Sequence, residues 1–128
     1  MKKNYSIKVS LRNNPYEVII GKNILRKSKN KIFSTIKDAK KIFIITDTRI
    51  KKLHLKKIQQ IIPKKFFVKT LTISPGEKMK DIKTINKIST FLLKNKISRN
   101  DAVFALGGGV IGDVSGFVAS VTLRGINL

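Results

Sequence analysis

The residue types best placed to do chemistry sit in the run Ala102-Val-Phe-Ala-Leu-Gly107-Gly108-Gly109-Val110-Ile111-Gly112-Asp113. An apolar, β-type stretch feeds into three successive glycines, and a small, apolar, helical pattern follows through Ser120. Strand, glycine loop and helix together aim backbone N–H groups at a phosphate. Gly107, Gly109 and Gly112 fit G-x-G-x-x-G in the strand-before, helix-after context that a dinucleotide fingerprint demands. Three jobs are expected of these glycines: a tight turn, close approach of a pyrophosphate to the backbone, and close helix–strand packing. Asp113 stands just past the loop, where it either favours the helix dipole or bonds a ligand hydroxyl. Asp47 ends an apolar strand, where it either caps the next helix or accepts from a ribose. Glu77 and Lys80 follow Pro75-Gly76 at the end of another strand. Arg124 offers the planar fork that suits bidentate phosphate binding, although one arginine in a Leu-Arg-Gly setting is by default a solvated residue. His54 lies in a basic helix without carboxylates nearby in sequence and reads as a surface residue. No metal-ligand constellation is present.

These residues need a frame. Alternation over Tyr5–Leu11 and Tyr16–Ile20, joined through Asn13-Asn14-Pro15, predicts an N-terminal hairpin. Helices are predicted over 22–36, 49–62 (with Ile50, Leu53, Ile58, Ile61 and Ile62 as its apolar positions) and 81–95 (with Ile82, Ile85, Ile88, Leu92 and Leu93). Strands are predicted over 41–47 and 66–73, followed by the strand of the glycine loop. Strands alternating with helices make this an α/β fold, a Rossmann-like parallel sheet flanked by helices. Ligands of such sheets lie beyond the carboxyl ends of the strands. The loops at 46–49, 74–80 and 107–113 should therefore converge. The segment from Arg124 to Leu128 reads as the start of a further strand. The first βα turn, at 46–49, has no glycine, so this is not an ordinary Rossmann dehydrogenase domain read from its first strand.

With 128 residues, 41% of them hydrophobic, the chain can form one domain with a real core. It has no cysteine, which excludes disulfides and thiolate metal sites and fits a reducing cytosol. It has neither a membrane-length apolar stretch nor a signal-peptide pattern. The net charge of +21 suggests nucleic acid or an anionic membrane as partner. However, the lysines are scattered along the chain and few aromatics are interleaved as stacking platforms. Compositional drift toward Lys, Ile and Asn accounts for the charge better, so no specific nucleic acid and no membrane is expected as partner.

The Gly-Gly-Gly-Val-Ile-Gly-Asp loop, then Gly116-Phe117-Val118-Ala119-Ser120 and Leu123-Arg124-Gly125, closely resembles 3-dehydroquinate synthase; Ser98–Val103 and Pro75–Lys80 also look like that family. The resemblance runs over essentially the whole chain, but only over the front of the family's sequence. It implies a lyase that converts 3-deoxy-D-arabino-heptulosonate 7-phosphate to 3-dehydroquinate and phosphate in the shikimate pathway, using NAD and a divalent metal, zinc or cobalt. It implies that Asp47, Glu77, Lys80, Gly108, Gly109, Val110 and Asp113 contact the cofactor and that Arg124 binds the substrate phosphate, across a homodimer interface. Arg49 departs from the family, where asparagine or a small polar residue is common. The resemblance further implies that residues 1–128 are a single N-terminal NAD-binding domain, an amino-terminal piece whose catalytic and metal-binding partners lie further on, and that the piece alone does not catalyse. The alternatives are a related metal-dependent polyol or alcohol dehydrogenase, which shares the glycine-loop architecture, and a basic nucleic-acid-binding module.

Overall fold

Ile42, Phe43, Ile44, Ile45 and Thr46 are successive residues with no exposed surface. A strand buried without alternation is covered on both faces, as in parallel α/β sheets. The computed structural model, which describes residues 4–128, places them in the central strand β3 (Lys41–Asp47). On either side of β3 run β4 (Phe67–Ile73) and β5 (Ala102–Leu106), both parallel to it, in the order β4-β3-β5. Successive side chains of β3 point to opposite faces. Ile42 and Ile44 join Phe33, Leu55, Ile58, Ile61 and Phe66 in one core; Phe43 and Ile45 join Ile88, Leu92, Val103, Ile111 and Val118 in the other. The first core is covered by α1 (Ile24–Thr35) and α3 (Lys56–Ile61), while α2 (Thr48–Ile50), which follows β3, buries no residue. The second belongs to α4 (Ile82–Lys94) and α5 (Gly109–Val121). The expected parallel sheet flanked by helices is what forms.

An antiparallel hairpin, β1 (Tyr5–Val9) and β2 (Tyr16–Ile20), precedes the sheet and forms a separate two-stranded ribbon. Its pairing sets Tyr5 opposite Ile20 and Ile7 opposite Val18, so these side chains share one face. That face is 40–59% exposed along Tyr5, Ile7, Tyr16, Val18 and Ile20. Glu17, on the other face, accepts from Ser6 and pairs with Lys31 of α1.

The helix predicted over 49–62 is interrupted. A π-helical turn at Lys51–Leu55 separates α2 from α3. The extra residue in that turn rotates the face, so Leu55 enters the core while Leu53 is 62% exposed. Two other apolar positions expected inside also lie outward, Ile82 and Leu93.

Asp101, 1% exposed, ties the foot of the sheet. Its Oδ1 accepts from the backbone N–H of Lys41 at 2.8 Å and Lys40 at 3.2 Å, and its Oδ2 from Ser98 at 2.8 Å. Beyond β5, Asn127 bridges in parallel to Ala102, and Val103 N–H donates to the Asn127 carbonyl at 2.8 Å. The segment read as a strand start does line up against the sheet.

Burial alone would raise the Asp101 carboxyl, but the N–H donors of Ser98, Lys41 and Lys40 outweigh it and hold it below the usual range. A value depressed by folding adds stability above the unfolded value of about 3.9 and loses it as pH falls through the folded value. Asp101→Asn should therefore lower unfolding free energy by about 1–3 kcal/mol at neutral pH. The gap from the parent should close as pH is taken from 5 toward 2 in urea titrations followed by circular dichroism. A gap that does not change with pH would show that the charge contributes nothing.

Candidate functional site

All three predicted loops leave the sheet at one edge, because β4, β3 and β5 are parallel. Thr46 lies opposite Leu106, and its buried Oγ1 donates to the Leu106 carbonyl at 2.7 Å. Gly107 therefore emerges beside the residue that precedes Asp47. On the other side, Asp47 lies opposite Ile73, so the 74–80 loop departs next to it.

Gly108 is extended (φ −86°, ψ −163°) and stands at the N-cap of α5, which no side chain caps and whose first turn holds no acid. The partial positive charge of that helix end is left uncompensated by protein groups. The glycine roles differ from the expected division. A Cβ on Gly107 would stand 2.5 Å from Ile111 Cγ1, so Gly107 is the glycine required for close packing. Gly108, Gly109 and Gly112 have nothing within 4 Å of where a Cβ would be, which leaves a bare, open backbone surface. Among the described glycines only Gly76 and Gly125 have positive φ, so no loop glycine is needed for a left-handed turn. Val110 is half-buried behind the loop.

Glu77 sits in a 3₁₀ turn (Glu77–Met79) that Lys80 closes. Lys80 Nζ lies 2.8 Å from Asp113 Oδ2 and 3.1 Å from Glu77 Oε2. Bonds from Asp113 first, and Glu77 second, raise the lysine above its ordinary value. The structure thus brings Glu77, Lys80 and Asp113 into one exposed ion cluster joining the 74–80 loop to α5. Asp113 is the fifth residue of α5, one turn beyond any capping position. The next acid, Asp81, caps α4 through Thr84 N–H at 2.7 Å, and that donor holds its carboxyl below the usual range. Asp47 is a helix cap in fact: its Oδ1 accepts from Arg49 N–H at 2.8 Å and Ile50 N–H at 2.9 Å.

Arg124 is not brought to these residues. It ends the short turn Thr122–Arg124 at the far end of α5, whose thirteen residues span about 20 Å. Leu123 and Arg124 both take left-handed conformations there (φ 49° and 67°). A groove of about 320 Å³ lined by Lys80, Asp81, Ile82, Ile85, Asp113, Val114 and Phe117 adjoins the ion cluster. Another hollow, about 860 Å³, lies between the hairpin, α1 and β5 and holds none of the expected site residues. Among the described residues no group of three His, Asp or Glu side chains could hold a metal, and no helix is long and apolar enough to cross a membrane.

Residues 70–128 match the family model described as 3-dehydroquinate synthase N-terminal. The chain matches the amino-terminal part of 3-dehydroquinate synthases. The enzyme of that name from Streptococcus thermophilus is 39% identical over 122 residues, covering 94% of this chain and 34% of the relative. That from Brucella ovis is 35% identical over 123 residues, covering 95% and 32%. The chain thus spans about a third of the length of these curated relatives. In fold it is similar to 2-deoxy-scyllo-inosose synthase (TM-score 0.82, 20% identity, 95% of this chain and 34% of that one). It is also similar to a 2-epi-5-epi-valiolone synthase from Streptomyces hygroscopicus solved with NAD+ and Zn2+ (TM-score 0.70, 19% identity, 92% and 32%). Within the 3-dehydroquinate synthase match of 70–128 fall Glu77, Lys80, the glycine loop, Asp113 and Arg124; Asp47 lies outside it.

Sequence reasoning named the ion cluster's members but not their pairing, and missed Ile111 as the reason for Gly107. Opposite charges at the carboxyl ends of parallel strands were the available signal for the first. Gly107→Ala should cost about 1–3 kcal/mol by overpacking against Ile111, whereas Gly108→Ala should leave the melting temperature nearly unchanged. Thermal unfolding of the two variants checks this, and equal losses would refute the division of roles.

Proposed function

We propose that residues 1–128 form the NAD-binding unit of a 3-dehydroquinate synthase acting in the shikimate pathway. The observation that carries this reading is the bare glycine surface at Gly108, Gly109 and Gly112 on the uncapped N-terminus of α5, beside the Glu77–Lys80–Asp113 cluster. The residues present fit a dinucleotide. Gly108 and Gly109, with Val110, would let a pyrophosphate approach the helix end, and the helix dipole would favour its charge. Asp47 keeps Oδ2 free of backbone donors and would accept from a ribose hydroxyl. Lys80 would bring positive charge to the same edge, oriented by Asp113 and Glu77. Bound NAD would supply transient oxidation of a substrate hydroxyl.

On the same reading the substrate is a sugar phosphate, and the whole protein is a cytoplasmic homodimer that uses zinc or cobalt. Structures solved with NAD+ and Co2+ or Zn2+ among its fold relatives support the cofactor and metal assignments. The described residues do not fit a metal site, so no step through a metal is assigned to them. Catalysis by residues 1–128 alone is not expected.

Gly109→Val would place a branched side chain on the open backbone face and should weaken NAD binding at least about tenfold in calorimetric titration, with circular dichroism unchanged. Unchanged affinity in the folded variant would refute the assignment. Arg124 is proposed to bind the substrate phosphate in the full-length enzyme. Arg124→Lys keeps the charge but loses the fork, so kcat/KM should fall by about one to two powers of ten while NAD affinity holds. Loss of NAD binding with unchanged substrate kinetics would place Arg124 on the other ligand.

A further inference from the structure

Lysines that are scattered along the sequence are sorted unevenly by the fold. The layer on one face of the sheet is built from residues 22–40, which hold α1, and 48–65, which hold α2, the π turn and α3. These stretches carry fourteen lysines and arginines and one acid, Asp38; residues 48–65 alone carry seven and no acid. The layer on the other face, built from residues 74–100 and 107–125, carries eight against three. Drift in composition loads both faces alike and does not produce this difference. Among the described residues only Lys31 of the fourteen pairs with an acid, Glu17 of the hairpin, whereas Lys80 of the other layer is held by Glu77 and Asp113. The π turn concentrates the excess. Residues five apart lie about 140° apart around a regular α-helix, but a π turn closes i to i+5, and Lys51, Lys52 and Lys56 line one hollow. Unpaired like charges held on one surface raise its potential, which an anion relieves.

The other side chains of this layer narrow the anion. Phe33, Ile36, Ile58 and Ile61 face the core, and Leu53 is the one large hydrophobic side chain exposed in the layer among the described residues. A helix that lies in a membrane surface buries its apolar face in lipid, and here that face is packed on the sheet. The layer's one aromatic ring, Phe33, is buried, so the bases of a single strand have no platform to stack on. A duplex needs no such platform: its bases are already stacked, and it presents one phosphate charge per about 1.7 Å of its axis. The twelve residues of α1 span about 18 Å, the length of about ten of those charges.

We propose that the α1–α3 face is a docking surface for the phosphodiester backbone of a nucleic-acid duplex, bound without regard to sequence. The proposal is independent of the nucleotide reading, whose helix α5 covers the other face of the sheet. The test is fluorescence anisotropy with labelled DNA and RNA duplexes of about two helical turns, each in two unrelated sequences, and with a single strand of thymidines of the same length. It uses the parent, the variant Arg26→Gln, Lys27→Gln, Lys56→Gln, Lys57→Gln, and a charge-matched control on the other layer, Lys78→Gln, Lys83→Gln, Lys87→Gln, Lys94→Gln, each checked for folding by circular dichroism. At physiological salt a duplex should bind with a dissociation constant of about 1–100 μM, and log K should fall against log salt with a slope of about −4, for about four phosphates neutralised. The duplex bound more tightly identifies the source of the backbone; the two sequences should agree within about threefold and the single strand should bind at least about threefold more weakly. The face variant should lose at least about tenfold and flatten the slope, and the control less than about threefold. Equal losses in the two variants would overturn the proposal by reducing the effect to bulk charge. Sequence-selective binding would overturn it too, as would binding of neither duplex while vesicles of phosphatidylserine and phosphatidylcholine capture the parent and not the face variant.

Discussion

A single carboxylate at the foot of the sheet governs where the functional loops emerge. Asp101 binds the start of β3 and the turn that launches β5 with N–H bonds from Lys40, Lys41 and Ser98. Buried this deeply, an unpaired carboxylate would be costly, so the three donors and the acid require one another. Lys41 strengthens the same corner by donating from Nζ to the Lys96 carbonyl at 2.6 Å and the Asn95 carbonyl at 3.2 Å, at the end of α4. With the feet aligned, the parallel register runs undisturbed to Thr46 opposite Leu106. One residue of slip would send Ile42 and Ile44 to the wrong core and lift the glycine loop away from Asp47.

The architecture was legible because its signals were strong and local. Lys41–Asp47 could hardly be anything but a central strand, and the glycines after Ala102–Leu106 marked the strand-to-helix turn unambiguously. Asp47 was open between two roles in the sequence, and the structure supplies the cap. What escaped was three-dimensional. A π turn has no periodic signature in the sequence, because one added residue leaves the apolar positions at helix-like spacings; Leu53 and Leu55 thus exchanged places. The partners of Asp101 lie 60 and 61 residues away, beyond any window of pattern reading. Its local signal was an acid three residues after Ser98, just ahead of an apolar strand. Lys80 and Asp113 could meet only once β4 and β5 were known to flank β3.

The glycine loop shows why a motif match is less informative than its geometry. The fingerprint distributes tasks by position, yet here the packing constraint falls on the first glycine and openness on the other three. The openness matters for ligands, because backbone N–H groups act only on what can come within hydrogen-bond reach. The packing at Gly107 matters for rigidity: the loop is held against Ile111, a core residue that is 2% exposed.

The hairpin carries a different consequence, for colloidal behaviour. Tyr5, Ile7, Tyr16, Val18 and Ile20 make a continuous apolar face on a ribbon with unpaired backbone along both outer edges, a template for edge-to-edge association. Nothing on that face carries charge. Long-range repulsion between the scattered lysines opposes association through that face. Repulsion of this kind reaches about 30 Å at 0.01 M salt and about 8 Å at physiological ionic strength. A surplus of lysine that looks featureless in composition thus acts as a spacer between copies, and its reach is set by the buffer.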